Sequence, residues 1–115
     1  MAEKRLRRVE SLLQEEISLM ISRQEIKDPR IDPLTAVSHI KVSRDLGYAK
    51  VYVSLFGDDV VREKTVNALN HAAGFIQKRL GKSLRLRSIP RLSFIMDTSI
   101  EQGFRMTQKI KDLLD

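Results

Sequence analysis

Between residues 62 and 91, eight lysines and arginines stand against a single acid, Glu63. They are Arg62, Lys64, Lys78, Arg79, Lys82, Arg85, Arg87 and Arg91. This stretch carries +7, while the other 85 of the 115 residues sum to −1 and the whole chain to +6. Cations clustered on a near-neutral body suit a polyanionic partner. The plainer reading is a solvated basic face. On a helix, Lys78 and Lys82 fall one turn apart and Arg85 continues the line, opposite Ile76 and Leu80. Arg85, Arg87 and Arg91 follow at spacings of two and four. Such an array can track phosphates along a nucleic-acid backbone, and arginine forks can also stack on unpaired bases. Arg79 belongs to the same set. Lys4, Arg5, Arg7 and Arg8 form a second-rank set, because they open a helix where the macrodipole prefers anions. Arg30 is a further second-rank candidate. With four Phe and two Tyr, most on apolar faces, an aromatic base-stacking platform is not expected. Recognition by shape and phosphate is.

Other chemistries find little support. There is no cysteine, which excludes disulfides, thiolate nucleophiles, cysteine zinc sites and iron–sulfur clusters. Two histidines, His39 and His71, are too few and too separated for a metal site, so no metal or cofactor is expected. Gly81-Lys82-Ser83 matches the tail of a phosphate-binding loop, but the position that should hold its first glycine is Ile76, and a helix rather than a strand precedes it. Ser38, His39 and Asp45 lie close in sequence without a nucleophile elbow. Glu15-Glu16 and Asp58-Asp59 diverge on a helix. No enzymatic activity and no small-molecule substrate are expected. No apolar run approaches the roughly 20 residues that span a bilayer, and the basic start turns acidic by Glu10. The expected location is the cytoplasm.

The elements that must carry these cations are legible in the apolar spacing. Leu6, Val9, Leu13, Ile17 and Met20 predict an amphipathic helix over residues 4–25, ended by the Asp28-Pro29 and Asp32-Pro33 pairs. Residues 35–43 predict a strand with Ala36, Ile40 and Val42 inward and His39 and Lys41 outward. Residues 49–56 predict a second, with Ala49, Val51, Val53 and Leu55 inward and Lys50, Tyr52 and Ser54 outward. The intervening RDLG reads as the turn of an antiparallel hairpin. Asp58 or Asp59 caps a helix carrying Val61, Thr65, Ala68, Leu69 and Ala72. It kinks near residues 72–74 and continues over residues 75–84. Residues 91–97 predict a third strand, parallel to the second by a right-handed crossover. A capping box of Ser99 and Gln102 opens a C-terminal helix reaching about Leu114. The expected architecture is a single α/β domain over residues 1–115, a two-layer sandwich in the order α-β-β-α-α-β-α.

Four segments in this order resemble the bacterial ribosome-binding factor A family: DPR (28–30), VSRDLGYAKVYVS (42–54), HAAGFIQKRL (71–80) and LRLRSIPRLSFIMDTSIEQG (84–103). The resemblance covers nearly the whole chain. It implies a type-II KH-like fold in which the usual GxxG loop is replaced by an Ala-x-Gly helix kink, here Ala72, Ala73 and Gly74. RNA contact is then expected from the basic surface around that kink and the helix after it. Gln77 stands where the family commonly has a base, and Arg91 where it often has an acid. The resemblance further implies a non-enzymatic assembly factor that binds the free 30S subunit and 16S rRNA. Such a factor assists late 30S maturation, including processing of the 16S rRNA 5′ end, and supports growth in the cold. It would act as a monomer. The alternative is a protein-interaction module whose basic face docks on an acidic protein.

Overall fold

Leu13, Ile17, Ile21, Leu69, Ile76, Leu80, Val51 and Val53 are fully buried, and they come from three helices and a strand. Burying these faces together fixes the layers in the computed structural model, which describes residues 2–99 and 111–114. The elements are α1 (Ala2–Ser22), β1 (Ala36–Val42), β2 (Tyr48–Ser54), α2 (Asp59–His71), α3 (Ala73–Ser83) and β3 (Arg91–Met96). This is the α-β-β-α-α-β order of a type-II KH-like domain. The sheet runs β1-β2-β3, with β1 antiparallel and β3 parallel to β2, as the sequence predicts. The expected C-terminal helix, with its Ser99–Gln102 box, falls mostly outside the described residues. Residues 111–114 are helical.

Helix α1 ends earlier than its prolines suggest. Gln24 N–H donates to Ile21 O at 3.1 Å and Glu25 N–H to Met20 O at 3.0 Å, while Gln24 takes a left-handed φ of 55°. This is a Schellman turn with glutamine in the glycine position. It satisfies the last carbonyls of the helix, so residues 23–25 leave it four residues before Pro29. The loop that follows is tied to α2, where the buried Thr65 hydroxyl donates to Arg30 O at 3.1 Å.

In β1 the inward residues are Val37, Ile40 and Val42, and Ala36 is exposed, contrary to the alternation expected from the sequence. The register explains it. Val37 pairs with Val53 and His39 with Tyr52, leaving Ser38 as a bulge that shifts the phase by one residue. The Ser38 hydroxyl, freed from the pleat, donates to Asp97 Oδ2 at 2.7 Å. In the β1–β2 turn the left-handed residue is Leu46, with φ 62°. Asp45 holds the turn by accepting from Ser43 Oγ at 2.7 Å and Gly47 N–H at 3.0 Å.

The β2–α2 connection needs glycine at position 57. Its φ is +147°, and a Cβ there would lie 3.1 Å from Val61 Cγ1. Asp58 then caps α2, accepting from Val61 N–H at 2.9 Å.

Both sheet edges are closed by helix side chains. On β1, Glu10 accepts from Val42 N–H at 2.8 Å and Gln14 donates to Val37 O at 3.0 Å. On β3, Gln77 accepts from Leu92 N–H at 3.1 Å, and Asn70 bonds both polar groups of Phe94. Strand edges left open are templates for association, and here the layer above them occupies those groups.

Candidate nucleic-acid interface

The break expected at residues 72–74 is real and sits at Ala72. This residue has φ −88° and ψ 3°, between the end of α2 at His71 and the start of α3 at Ala73. Gly74 is exposed, and a Cβ built on it would meet nothing within 4 Å. It is thus a bare spot on the surface of α3 and plays no part in packing.

Beyond the break, Ile76 and Leu80 are fully buried beneath α1 and the sheet. Lys78 and Lys82 are exposed on α3. Lys82 falls in the last turn, where the helix dipole favours a cation. The helix stops at Ser83, because Leu84 is extended with φ −109° and ψ 140°. Arg85 therefore lies off the helix, a correction to the helical stripe. What replaces the stripe is a strand-like alternation. Leu84 and Leu86 are half-buried against the core, while Arg85 and Arg87 are exposed between them. Two apolar anchors with a period of two send both arginines toward solvent. Among the described residues Lys78, Lys82, Arg85, Arg87 and Arg91 make no ion pair.

The remaining candidates are placed differently. Arg79 pairs with Glu25 at 3.3 Å, which joins α3 to the turn after α1. Arg30 forms a two-pronged pair with Asp28, Nε to Oδ1 at 3.1 Å and Nη2 to Oδ2 at 2.7 Å. The Arg30 guanidinium holds the Asp28 carboxyl down to about 2, and the carboxylate in turn raises Arg30. Both arginines are locally neutralised. Lys4, Arg5, Arg7 and Arg8 are exposed on the first turns of α1. Glu10 lies on Val42 and Gln14 on Val37, so α1 runs against β1. Its basic start therefore overhangs the end of the sheet where β2 and β3 begin. Arg91 is the first residue of β3, so it lies at the same end, and Arg85 and Arg87 sit on the connector that leads there.

The Ser38–His39–Asp97 group is not a hydrolytic triad. Ser38 donates to the carboxylate directly at 2.7 Å, and His39 Nδ1 stands 3.7 Å from the same oxygen. The hydroxyls of Ser38 and Ser99 and the Ser99 N–H hold Asp97 down to about 2. Asp45, close to His39 along the chain, is occupied in its own turn. Among the described residues no group of three His, Asp or Glu could hold a metal, and no helix is long and apolar enough to cross a membrane. One ring contact joins the two outward faces of the hairpin. His39 and Tyr52 stack across β1 and β2, with centroids 4.1 Å apart and planes 11° apart. The sequence signal was the outward phase of both residues.

Comparison with known proteins bears on the fold and the family. Residues 5–110 match the family model described as ribosome-binding factor A. A protein of that name from Dictyoglomus thermophilum is 41% identical over 109 residues, covering 95% of this chain and 90% of that one. The crystal structure of ribosome-binding factor A from Thermus thermophilus superposes with a TM-score of 0.69 at 28% identity, over 79% of this chain and 93% of that one. A homology model of the Thermus thermophilus factor, as fitted into the cryo-electron microscopy map of a 30S complex with that factor, gives 0.57 at 27% identity, over 76% and 93%. Fold and sequence agree, and the chain belongs to the ribosome-binding factor A family.

Proposed function

We propose that this chain is a non-enzymatic assembly factor that binds the free 30S subunit through 16S rRNA. It assists late 30S maturation, including formation of the 16S rRNA 5′ end. It works in the cytoplasm as a monomer and needs no cofactor. The observation that carries this reading is a set of exposed cations with no ion pair among the described residues, Lys78 and Lys82 on α3 opposite the buried Ile76 and Leu80, and Arg85 and Arg87 on the connector after it. Membership of a family whose Thermus relative has been fitted into a 30S complex supports it. Affinity would come mainly from counterion release at phosphates. Lys4, Arg5, Arg7, Arg8 and Arg91 would extend the contact toward the end of the sheet. Arg30 and Arg79 contribute chiefly to folding, since their charge is already matched.

The test is sedimentation. The chain should co-migrate with free small subunits and be depleted from assembled ribosomes. Replacing Lys78, Lys82 and Arg85 together by Gln should leave the fold intact and abolish co-sedimentation. A control that replaces Arg23, Lys27 and Lys111, all exposed, removes the same charge elsewhere and should retain most binding. Equal losses in both variants would assign recognition to the overall field and defeat the site. Co-migration with an acidic protein instead of subunits would favour a protein-docking module.

A further inference from the structure

We propose that the open face of the sheet is a second RNA-binding surface, on which Tyr48 and the His39–Tyr52 pair stack unpaired bases while Lys41, Lys50 and Arg91 hold the intervening phosphates. This rests on the RNA-binding reading above and shares Arg91 with it, but uses the helix-free face of the sheet and a different recognition chemistry.

The strand register sets out the surface in rows. Tyr48 lies beside Arg91, then Lys41, Lys50 and Ser93 form a row, then His39, Tyr52 and Ile95. All point away from the helices, because Ala49, Val51, Val53, Leu92 and Phe94 fill the opposite face. Tyr48 is 61% exposed, and His39, Lys41, Lys50 and Arg91 are exposed as well. A shallow depression of about 220 Å³ is lined by Lys41, Val42, Ser43, Tyr48, Lys50 and Tyr52.

Two features of this face point outward from the fold. Lys41 stands directly opposite Lys50, a like-charge cross-strand pair that destabilises a sheet unless an anion sits between them. Neither lysine has an ion pair among the described residues. The aromatic rings flank this pair rather than packing on the core. Tyr48 and Tyr52 are four residues apart, about 13 Å along the strand, with Lys50 midway. Ring, cation, ring is the order in which a single strand presents base, phosphate, base. Two carboxylates border the face: Asp45 is held within its own turn, and Asp97 by Ser38 and Ser99 at 3.7 Å from His39 Nδ1, so neither pairs with Lys41 or Lys50. A duplex hides its base faces, so the chemistry selects an unpaired strand.

Tyr48 and Tyr52 are the only tyrosines, and there is no tryptophan. Intrinsic tyrosine fluorescence therefore reports on this face alone. A short unstructured oligouridylate should quench it in the wild type and in the variant with Lys78, Lys82 and Arg85 replaced by Gln. Inorganic polyphosphate, which has charge but no bases, should not. With a dye-labelled oligouridylate, Tyr48→Leu and Tyr52→Leu should each weaken binding roughly tenfold, whereas Tyr48→Phe and Tyr52→Phe should retain it. Binding of the labelled strand without tyrosine quenching would overturn the proposal, as would equal quenching by polyphosphate. Quenching by polyglutamate but not by oligouridylate would reassign the face to an acidic protein. The two readings fail separately. Absent quenching with intact subunit binding removes only this surface, and quenching without subunit binding removes only the assembly-factor reading.

Discussion

Asn70 and Phe94 exchange two hydrogen bonds. The Asn70 Nδ2 donates to Phe94 O at 3.0 Å, and Phe94 N–H donates to Asn70 Oδ1 at 2.7 Å. The amide of one α2 side chain thus pairs with β3 as a neighbouring strand would, and Gln77 on α3 repeats half of the device at Leu92. The Ala72 break falls between these two residues. The junction that carries the basic helix is thereby tied to the sheet on both sides. Gln77 thus has a structural task here.

Replacing Asn70 with Ala leaves the Phe94 N–H and C=O without partners on a part-buried edge. We expect a loss of about 1–3 kcal/mol, read as a lower midpoint in urea unfolding. Amide exchange should accelerate at Phe94 more than at Val51 in the central strand. An unchanged midpoint would mean that water replaces the amide freely.

Acid should weaken the fold over a defined window. Asp28 and Asp97 are held down to about 2 from an ordinary 3.8, the first mainly by the Arg30 guanidinium, the second mainly by the Ser38 hydroxyl. A depressed carboxyl stabilises the folded state above its unfolded value, and that contribution is lost as pH falls through the folded value. The loss should therefore run from about pH 4 to about pH 2. Asp97→Asn should flatten this limb of a stability-versus-pH curve, and Ser38→Ala should move the Asp97 titration upward by NMR.

Gln24 adopts φ 55° at an exposed site. A left-handed conformation costs a non-glycine residue roughly 1–2 kcal/mol, partly offset by the greater unfolded entropy of glycine. Gln24→Gly should raise stability by about 0.5–1 kcal/mol, measured by chemical denaturation. A loss would show that the glutamine side chain has a stabilising partner.

Gly74 separates packing from recognition. Because a Cβ there meets nothing within 4 Å, Gly74→Ala should stabilise α3 by about 0.5–1 kcal/mol through helix propensity. If RNA backbone approaches this bare patch, the same variant should bind small subunits less well despite its greater stability. Unchanged binding would free Gly74 from any role at the interface.

Salt gives a count of contacts. If about five phosphates are neutralised on single-stranded or irregular RNA, log K against log salt should fall with a slope of about −3 to −4. The variant with Lys78, Lys82 and Arg85 replaced by Gln should lose about two units of that slope. A wild-type slope near zero would leave the basic stretch a solvated face.

Local chemistry was readable residue by residue. The apolar spacing of α1, the strict alternation of β2, the Asp58 cap and the break before Gly74 depend on neighbours within one or two turns, so the sequence alone determined them. The eight cations of residues 62–91 were equally plain, because charge needs no fold to be counted. Wherever a distant partner decides, local pattern misleads. The phase of β1 depends on a bulge at Ser38 that exists only against β2. Arg79 and Arg30 look like their neighbours until Glu25 and Asp28 are placed beside them. The end of α1 rests on a left-handed Gln24 that no glycine announces. The open face is the clearest case. Tyr48, Tyr52, His39, Lys41 and Lys50 are spread over two strands, and only hydrogen-bonded register sets ring beside ring and lysine opposite lysine. Pairing between strands is fixed by long-range packing, and this is why tertiary structure alone decided that surface.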